Sequence, residues 1–197
     1  LWRELEEAGT DYNFVFASEE SFGYMPHNVV RDKDAVASIA LMNEVTLYHK
    51  LNGKNLIEAL DSIYEEYGYA QESLIALTFE GISGKEKINN IMSYFRKNFS
   101  SDIAENKICK FSDFKPLIEK DLFENTEKVI EMTSSNVLGF VFENGNQLFV
   151  RPSGTEPKIK FYTMVQVKEG DLKSKKLKAK QLIKDVESFI HQKIKEL

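Results

Sequence analysis

The sequence is poor in the residues from which several kinds of site are built. Its single cysteine, Cys109, excludes an internal disulfide framework and a cysteine-rich zinc centre, and reads as a small half-buried apolar group in a reducing compartment. The three histidines, His27, His49 and His191, lie too far apart to share a metal by spacing, and no aspartate-rich metal motif occurs. Neither a Ser-His-Asp nor a Cys-His arrangement can be assembled, and the Gly-x-x-x-x-Gly-Lys phosphate loop is missing. No apolar run approaches the roughly 20 residues that cross a bilayer, so no membrane partner is expected and a cytoplasmic location is. No signal peptide is visible, and the opening at Leu1 rather than methionine reads as a cut end. Internal repeats and low-complexity segments are lacking too.

What is present is globular. Hydrophobic residues make up 42% and aromatics 12% of 197 residues, enough for one large domain or two small ones. The formal charge of -5 argues against a general nucleic-acid binder, which carries a basic footprint. From Asp171 onward lysines outnumber acids by about two to one. They alternate with those acids, as on a solvated helix face.

Along the chain, LWRELEEAG fits a short helix stopping at Gly9, and NFVFA a buried strand that runs into the loop SEESFGYMP. Asp34 to Leu51 reads as a helix with Val36, Ile39, Ala40 and Leu47 on its apolar side, broken by Asn52 and Gly53. Asn55 and Glu58 predict a reciprocal cap for a second helix, with Leu56, Ile57, Leu60, Ile63, Tyr64 and Tyr67 on one face and Gly68 closing it. A second unit opens near Gln71 with the strand SLIALTFEG. The helix SGKEKINNIMSYFRKNF follows, with a Ser83–Glu86 capping box and Ile88, Ile91, Met92 and Phe95 inward.

Residues 98 to 126 receive no regular element, only short apolar pieces around Ile108 and Phe114. LGFVF and QLFV then flank ENGN, where Asn144-Gly145 predicts a type I′ hairpin turn. KIKFYTMVQV is a strand with Ile159, Phe161, Thr163 and Val165 on one face. Asp171 begins the Lys-rich helix, with Leu182, Ile183, Val186 and Ile190 inward. The fold class is α+β: a partial mixed α/β unit over residues 1–70, then a small antiparallel sheet with helices on one face over 71–197.

Chemistry concentrates in two loops. In RPSGTEPKIKFY, Arg151 offers a planar fork of donors suited to phosphate or carboxylate oxygens. Ser153 and Thr155 add hydroxyls, and Gly154 allows backbone amides to turn inward as an anion nest. The alternative is a plain polar connection with an Arg151–Glu156 surface ion pair. Glu19, Glu20 and Ser21 follow a strand end, where carboxylates can accept hydrogen bonds from sugar hydroxyls or hold a cation, or simply form a charged surface. Arg31 and Lys33 can supply positive charge to an anionic ligand, while Asp32 or Asp34 caps the next helix. His27, near this loop, is an acid/base candidate, and His49 and His191 are structural or solvated.

FASEESFGY, then VVRDKDAV, then NVLGFVFENGNQLFVRPSGTEPKIKFY resemble, in that order, the C-terminal part of the α-D-phosphohexomutases, the phosphoglucomutase and phosphomannomutase superfamily. The likeness runs from about Tyr12 to the end of the chain. It implies a four-domain enzyme, an intramolecular phosphotransferase that interconverts hexose 1-phosphate and 6-phosphate through a bisphosphorylated sugar. The phosphoserine of domain 1 and the Mg2+ loop of domain 2 match nothing here. The chain therefore reads as a fragment, the end of domain 3 and a complete, TATA-box-binding-protein-like domain 4, with no catalytic and no metal residue of its own. Domains 1 and 2 of the parent and small-molecule sugar phosphates would be its partners.

By resemblance, Glu19, Glu20 and Ser21 bind sugar hydroxyls. Arg151, Ser153, Gly154 and Thr155 bind the non-transferring phosphate, and Arg31 and Lys33 face the same cleft. The doubled acid resembles the glucose-type loop. Ala17 and Ser18 depart from the FGFEES form of larger bacterial members but leave the acids and Ser21 in place. A phosphopentomutase of the same superfamily, or a stand-alone phospholigand-binding module, are the alternatives.

Overall fold

The computed structural model describes Gly9 and residues 13–19, 23–99 and 102–197, with no account of the Ile82 side chain. The chain divides into two compact units, Leu1–Ser62 and Ile63–Leu197. The helix expected in LWRELEEAG lies outside the described residues.

In the first unit, β1 (Ala17–Glu19) and β2 (Gly23–Met25) form an antiparallel hairpin with Glu19 opposite Gly23. The expected strand NFVFA and the expected loop after it are both corrected by this. Asn13–Phe16 has no ladder partner among the described residues and is irregular, and strand begins only at Ala17, where β2 supplies one. α1 (Ala35–Leu51) is capped by Asp34, whose carboxylate accepts from the Ala37 amide at 3.0 Å, and it ends at Asn52 before Gly53, at φ 73°. None of its residues is buried, so the apolar side read from Val36, Ile39 and Leu47 is solvent-facing.

α2 (Leu56–Tyr67) opens on the reciprocal cap that the sequence predicts. Asn55 Oδ1 accepts from the Glu58 amide and Glu58 Oε2 accepts from the Asn55 amide, both at 2.9 Å. Its apolar stripe is likewise mostly exposed, with Ala59 its one buried residue. Gly68, at φ 100°, ends it as expected.

The second unit is a seven-stranded antiparallel sheet. Its strands are β3 (Tyr69–Thr78), β4 (Ile108–Asp113), β5 (Ile118–Asp121), β6 (Thr126–Val129), β7 (Leu138–Phe142), β8 (Gln147–Pro152) and β9 (Lys158–Val167), in spatial order β3-β9-β8-β7-β4-β5-β6. Two helices, α3 (Gly81–Lys97) and α4 (Leu172–Glu196), cover one face. The period-2 pattern of β9 explains why one face is dry: Ile159, Phe161, Thr163, Val165 and Val167 are all buried. Against Ile159 and Phe161 pack Ile88, Ile91, Met92 and Phe95 of α3 and Val186, Ile190 and Ile194 of α4, while Val165 and Val167 meet Ala179 and Ile183 of α4. Phe95 sits at the centre, 5.6 Å from the Phe161 ring and 6.1 Å from that of Phe140. Each such side chain contributes about 1.5–3 kcal/mol by leaving water. Asp171 caps α4 by accepting from the Ser174 amide at 2.7 Å.

Three expectations for this unit are corrected. Residues 98 to 126 hold the mostly buried β4, the half-buried β5 and the beginning of the exposed β6, not an irregular region. α3 begins at Gly81, and its cap residue Glu80 makes no side-chain bond, so Ser83 and Glu86 lie inside the helix. The early start folds the first turn back over Phe79, and a Cβ on Gly84 would lie 2.0 Å from the Phe79 carbonyl oxygen. The β7–β8 turn is not type I′, since Gly145 has positive φ (83°) and Asn144 does not. The Gly145 amide bonds to the Phe142 carbonyl at 2.8 Å and the Phe142 amide to the Asn146 carbonyl at 2.9 Å, which makes a three-residue loop ending in a left-handed glycine. Asn144 Oδ1 accepts from the Asn146 amide at 3.0 Å and favours that longer form.

Candidate functional site

Arg151 sits one residue before the end of β8, directly across from Lys160 of β9. The register puts both cations on the sheet face opposite the buried Ile159 and Phe161. Like charges directly opposite one another are unfavourable in a ladder unless an anion lies between them. Arg151 is exposed and makes no ion pair among the described residues. Glu156, the partner in the plain surface reading, is instead 3.8 Å from Lys158 Nζ. Lys160 rests its ammonium over the Tyr162 ring, 5.8 Å from the centroid. Sequence reasoning missed Lys160. Its signal was the alternation of KIKFY, which puts Lys160 on the face opposite Ile159.

The loop that follows is tightly tied at its base. The Ser153 amide donates to the Lys158 carbonyl at 2.7 Å, and the Phe79 amide to the Pro157 carbonyl at 2.8 Å. Ser153 Oγ accepts from the amides of Thr155 at 3.4 Å and Glu156 at 3.3 Å. Two amides therefore engage its lone pairs, and its one hydrogen is left to donate outward. Gly154 has nothing within 4 Å of where a Cβ would stand and no positive φ, so here the glycine supplies open space, not an unusual backbone. Thr155 is exposed beside it. Arg151, Lys160, Ser153 and Thr155 thus present donors on adjoining positions, a set suited to the oxygens of a phosphate.

The second candidate group lies in the first unit. Glu19 ends β1, and Lys33 Nζ is 2.8 Å from its Oε1. That hydrogen bond and the charge of Glu19 hold the Lys33 pKa above the ordinary lysine value. Arg31 is exposed in the bend before α1. Glu20 and Ser21 lie outside the described residues. His27 Nδ1 accepts from the Val29 amide at 3.3 Å, and its Nε2 is 3.8 Å from Asp34 Oδ2, the helix cap. Cys109 is half-buried, its thiol 3.3 Å from the Val141 carbonyl. Among the described residues, no three His, Cys, Asp or Glu side chains gather where they could hold a metal. No helix among them is long and apolar enough to cross a membrane.

Residues 115–175 match the model of the phosphoglucomutase/phosphomannomutase C-terminal domain. A phosphoglucomutase of Staphylococcus haemolyticus (strain JCSC1435) is 38% identical over 165 residues, which are 84% of this chain and 29% of that protein. One of Staphylococcus aureus (strain bovine RF122 / ET3-1) is 37% identical over 177 residues, 90% of this chain and 32% of that protein. The chain thus spans about a third of the length of the curated relatives it matches. The open form of the exocytosis-sensitive phosphoprotein pp63/parafusin of Paramecium shares the fold, with a TM-score of 0.62 at 17% identity over 96% of this chain and 32% of that one.

Proposed function

For a chain that belongs to the α-D-phosphohexomutase superfamily and matches its C-terminal part, we propose that it is the substrate-holding portion of a phosphoglucomutase/phosphomannomutase. The observation that carries this is the exposed Arg151 facing Lys160 at the mouth of the Ser153–Thr155 loop. In this reading the loop grips the phosphate that is not being transferred, and Glu19, Glu20 and Ser21 hold the sugar hydroxyls. Arg31 and Lys33 add positive charge. Residues 71–197 are the TATA-box-binding-protein-like fourth domain, and residues 1–70 belong to the third.

A mutase that moves a phosphoryl group from one sugar oxygen to another must accept the sugar in two orientations. The remote phosphate is then a different one each time. A guanidinium and hydroxyl donors recognise a phosphate dianion without reading the sugar carbon that carries it. Binding energy spent there positions the reacting end. The Mg2+ and the phosphoserine that the family implies find no matching residues in this chain, so its role is to hold and not to react, and alone it has no mutase activity. The doubled acid Glu19-Glu20 favours glucose phosphates, and mannose and pentose phosphates are the competitors.

The test is titration of the chain with glucose 1-phosphate, mannose 1-phosphate and ribose 1-phosphate while backbone amides are followed by NMR. Shifts confined to Arg151–Thr155 and the β1–β2 hairpin are expected, strongest with glucose 1-phosphate, and Arg151→Ala should abolish those in the loop. Unchanged affinity in Arg151→Ala would sink the proposal.

A further inference from the structure

A glycine at ordinary φ is there for space, and Gly23 is such a residue. It is buried at the start of β2, directly opposite Glu19. A Cβ at this position would lie 2.1 Å from Lys33 Cδ, 2.6 Å from Lys33 Cγ and 2.8 Å from Glu19 Oε1. The volume that any other side chain would fill is therefore occupied by the stem of Lys33. Backbone bonds deliver the lysine there. The Asp34 amide donates to the Tyr24 carbonyl at 2.9 Å, which pins the segment along β2, and the Lys33 amide donates to Asp32 Oδ1 at 2.7 Å. From that anchor Lys33 Nζ reaches Glu19 Oε1 at 2.8 Å.

The ion pair is exposed, 56% on the lysine side and 44% on the glutamate side. Exposed pairs contribute little to stability, so stability does not account for a slot kept empty to admit one. Position does. One carboxylate oxygen, Oε1, is taken by the ammonium, which restrains the group and leaves Oε2 to accept from a ligand hydroxyl. The ammonium also offsets one of two adjacent negative charges, Glu19 and Glu20, which would otherwise repel a phosphorylated ligand.

We propose that Gly23 and Lys33 form a positioning device for Glu19, the glycine opening the slot through which the lysine pre-orients and neutralises the carboxylate before a sugar phosphate arrives. This rests on the sugar-phosphate reading given above. Gly23 touches no ligand in this scheme; it acts through Lys33, and Lys33 through Glu19.

The test uses the whole chain with 13Cε-labelled lysine. The Lys33 ammonium should titrate above the ordinary lysine value, and both Gly23→Ala and Glu19→Gln should return it toward that value. Because the atoms in the way belong to a flexible side chain, Gly23→Ala should displace Lys33 and leave the circular dichroism spectrum unchanged. Affinity for glucose 1-phosphate should fall about three- to tenfold in Gly23→Ala and in Lys33→Gln, the cost of ordering one long side chain at binding. The double variant should be no weaker than either single one, and Lys33→Arg should recover part of the loss.

Additive losses, or a Lys33 titration that neither Gly23→Ala nor Glu19→Gln moves, would overturn the proposal. A wild-type chain that binds no glucose 1-phosphate overturns the sugar-phosphate reading and the positioning role with it. A wild-type chain that binds, matched in affinity by Gly23→Ala, overturns the positioning role alone. Should Gly23→Ala fail to fold, the Lys33→Gln and Glu19→Gln pair carries the same comparison.

Discussion

Replacing Arg151 with methionine keeps an unbranched apolar stem and removes the guanidinium with its charge, which separates binding from stability. In the ligand-free chain Arg151 faces Lys160 across β8 and β9 and has no anionic partner among the described residues. Two unit charges about 5–7 Å apart repel by about 0.6–0.8 kcal/mol in water, and physiological salt reduces this to about 0.3–0.5 kcal/mol. Arg151→Met should therefore leave the phosphate-free protein unchanged or up to about 0.5 kcal/mol more stable, a rise in Tm of no more than about 2–3 °C. Ligand reverses the order. On the proposed function, glucose 1-phosphate at about 100 times its Kd should stabilise the wild type by about 2.7 kcal/mol. The variant should gain far less, because a charge-assisted contact of about 1.5–3 kcal/mol has gone. Thermal unfolding with and without glucose 1-phosphate measures both halves. A variant destabilised by more than about 1 kcal/mol in phosphate-free buffer would refute the reasoning, since Arg151 would then be holding the fold together.

Two glycines separate crowding from open space. Gly84→Ala puts a Cβ 2.0 Å from a backbone oxygen and should cost about 1–3 kcal/mol or more in urea unfolding, whereas Gly154→Ala, with nothing within 4 Å, should stay within about 0.5 kcal/mol. Arg96 Nε donates to Asp113 Oδ2 at 2.6 Å, and its guanidinium also bonds Asn136 Oδ1 at 2.9 Å. Arg96→Ala removes the charged partner of a carboxylate that is 6% exposed, leaving it the Lys115 amide at 3.1 Å, and should cost about 2–3 kcal/mol in the same assay. The Lys128 ammonium, by hydrogen bond first and by charge as well, holds the Glu119 carboxyl below the usual glutamate range. Its contribution is thus present above the unfolded glutamate pKa and is lost as pH falls through the lower folded value. Lys128→Gln should flatten that acid limb in unfolding measured from pH 6 downward, and an unaltered limb would contradict the assignment.

How much of this was legible depended on whether a residue's environment was written next to it in sequence. Asn55 and Glu58 carry their partners three positions apart, and the structure has that cap. The buried alternation of β9 and the inner stripe of α3 were equally plain, because one dry face forces a period. β5 and β6 were hidden for the opposite reason. IEKD and TEKV bury little and show no apolar alternation, and what pairs them is cross-strand: Glu119 opposite Lys128, Lys120 opposite Glu127, with Lys110 of β4 opposite Asp121. Such complementarity exists only once the register is known. Arg151, Ser153 and Thr155 were readable as chemistry, and the family likeness indicated what they would hold. Lys160 needed the ladder.

Those same charges have a consequence for the free rim of the sheet. β6 closes the order β3-β9-β8-β7-β4-β5-β6, so one of its sides has no neighbouring strand among the described residues. A bare rim of backbone amides and carbonyls is a template for any extended segment that drifts against it. Here a newcomer would meet Glu127 and Lys128 in succession, on opposite sides of the pleat, and would have to match both signs in register to stay. The sequence that conceals β6 from a reader of hydrophobic patterns also makes it a poor host for other chains.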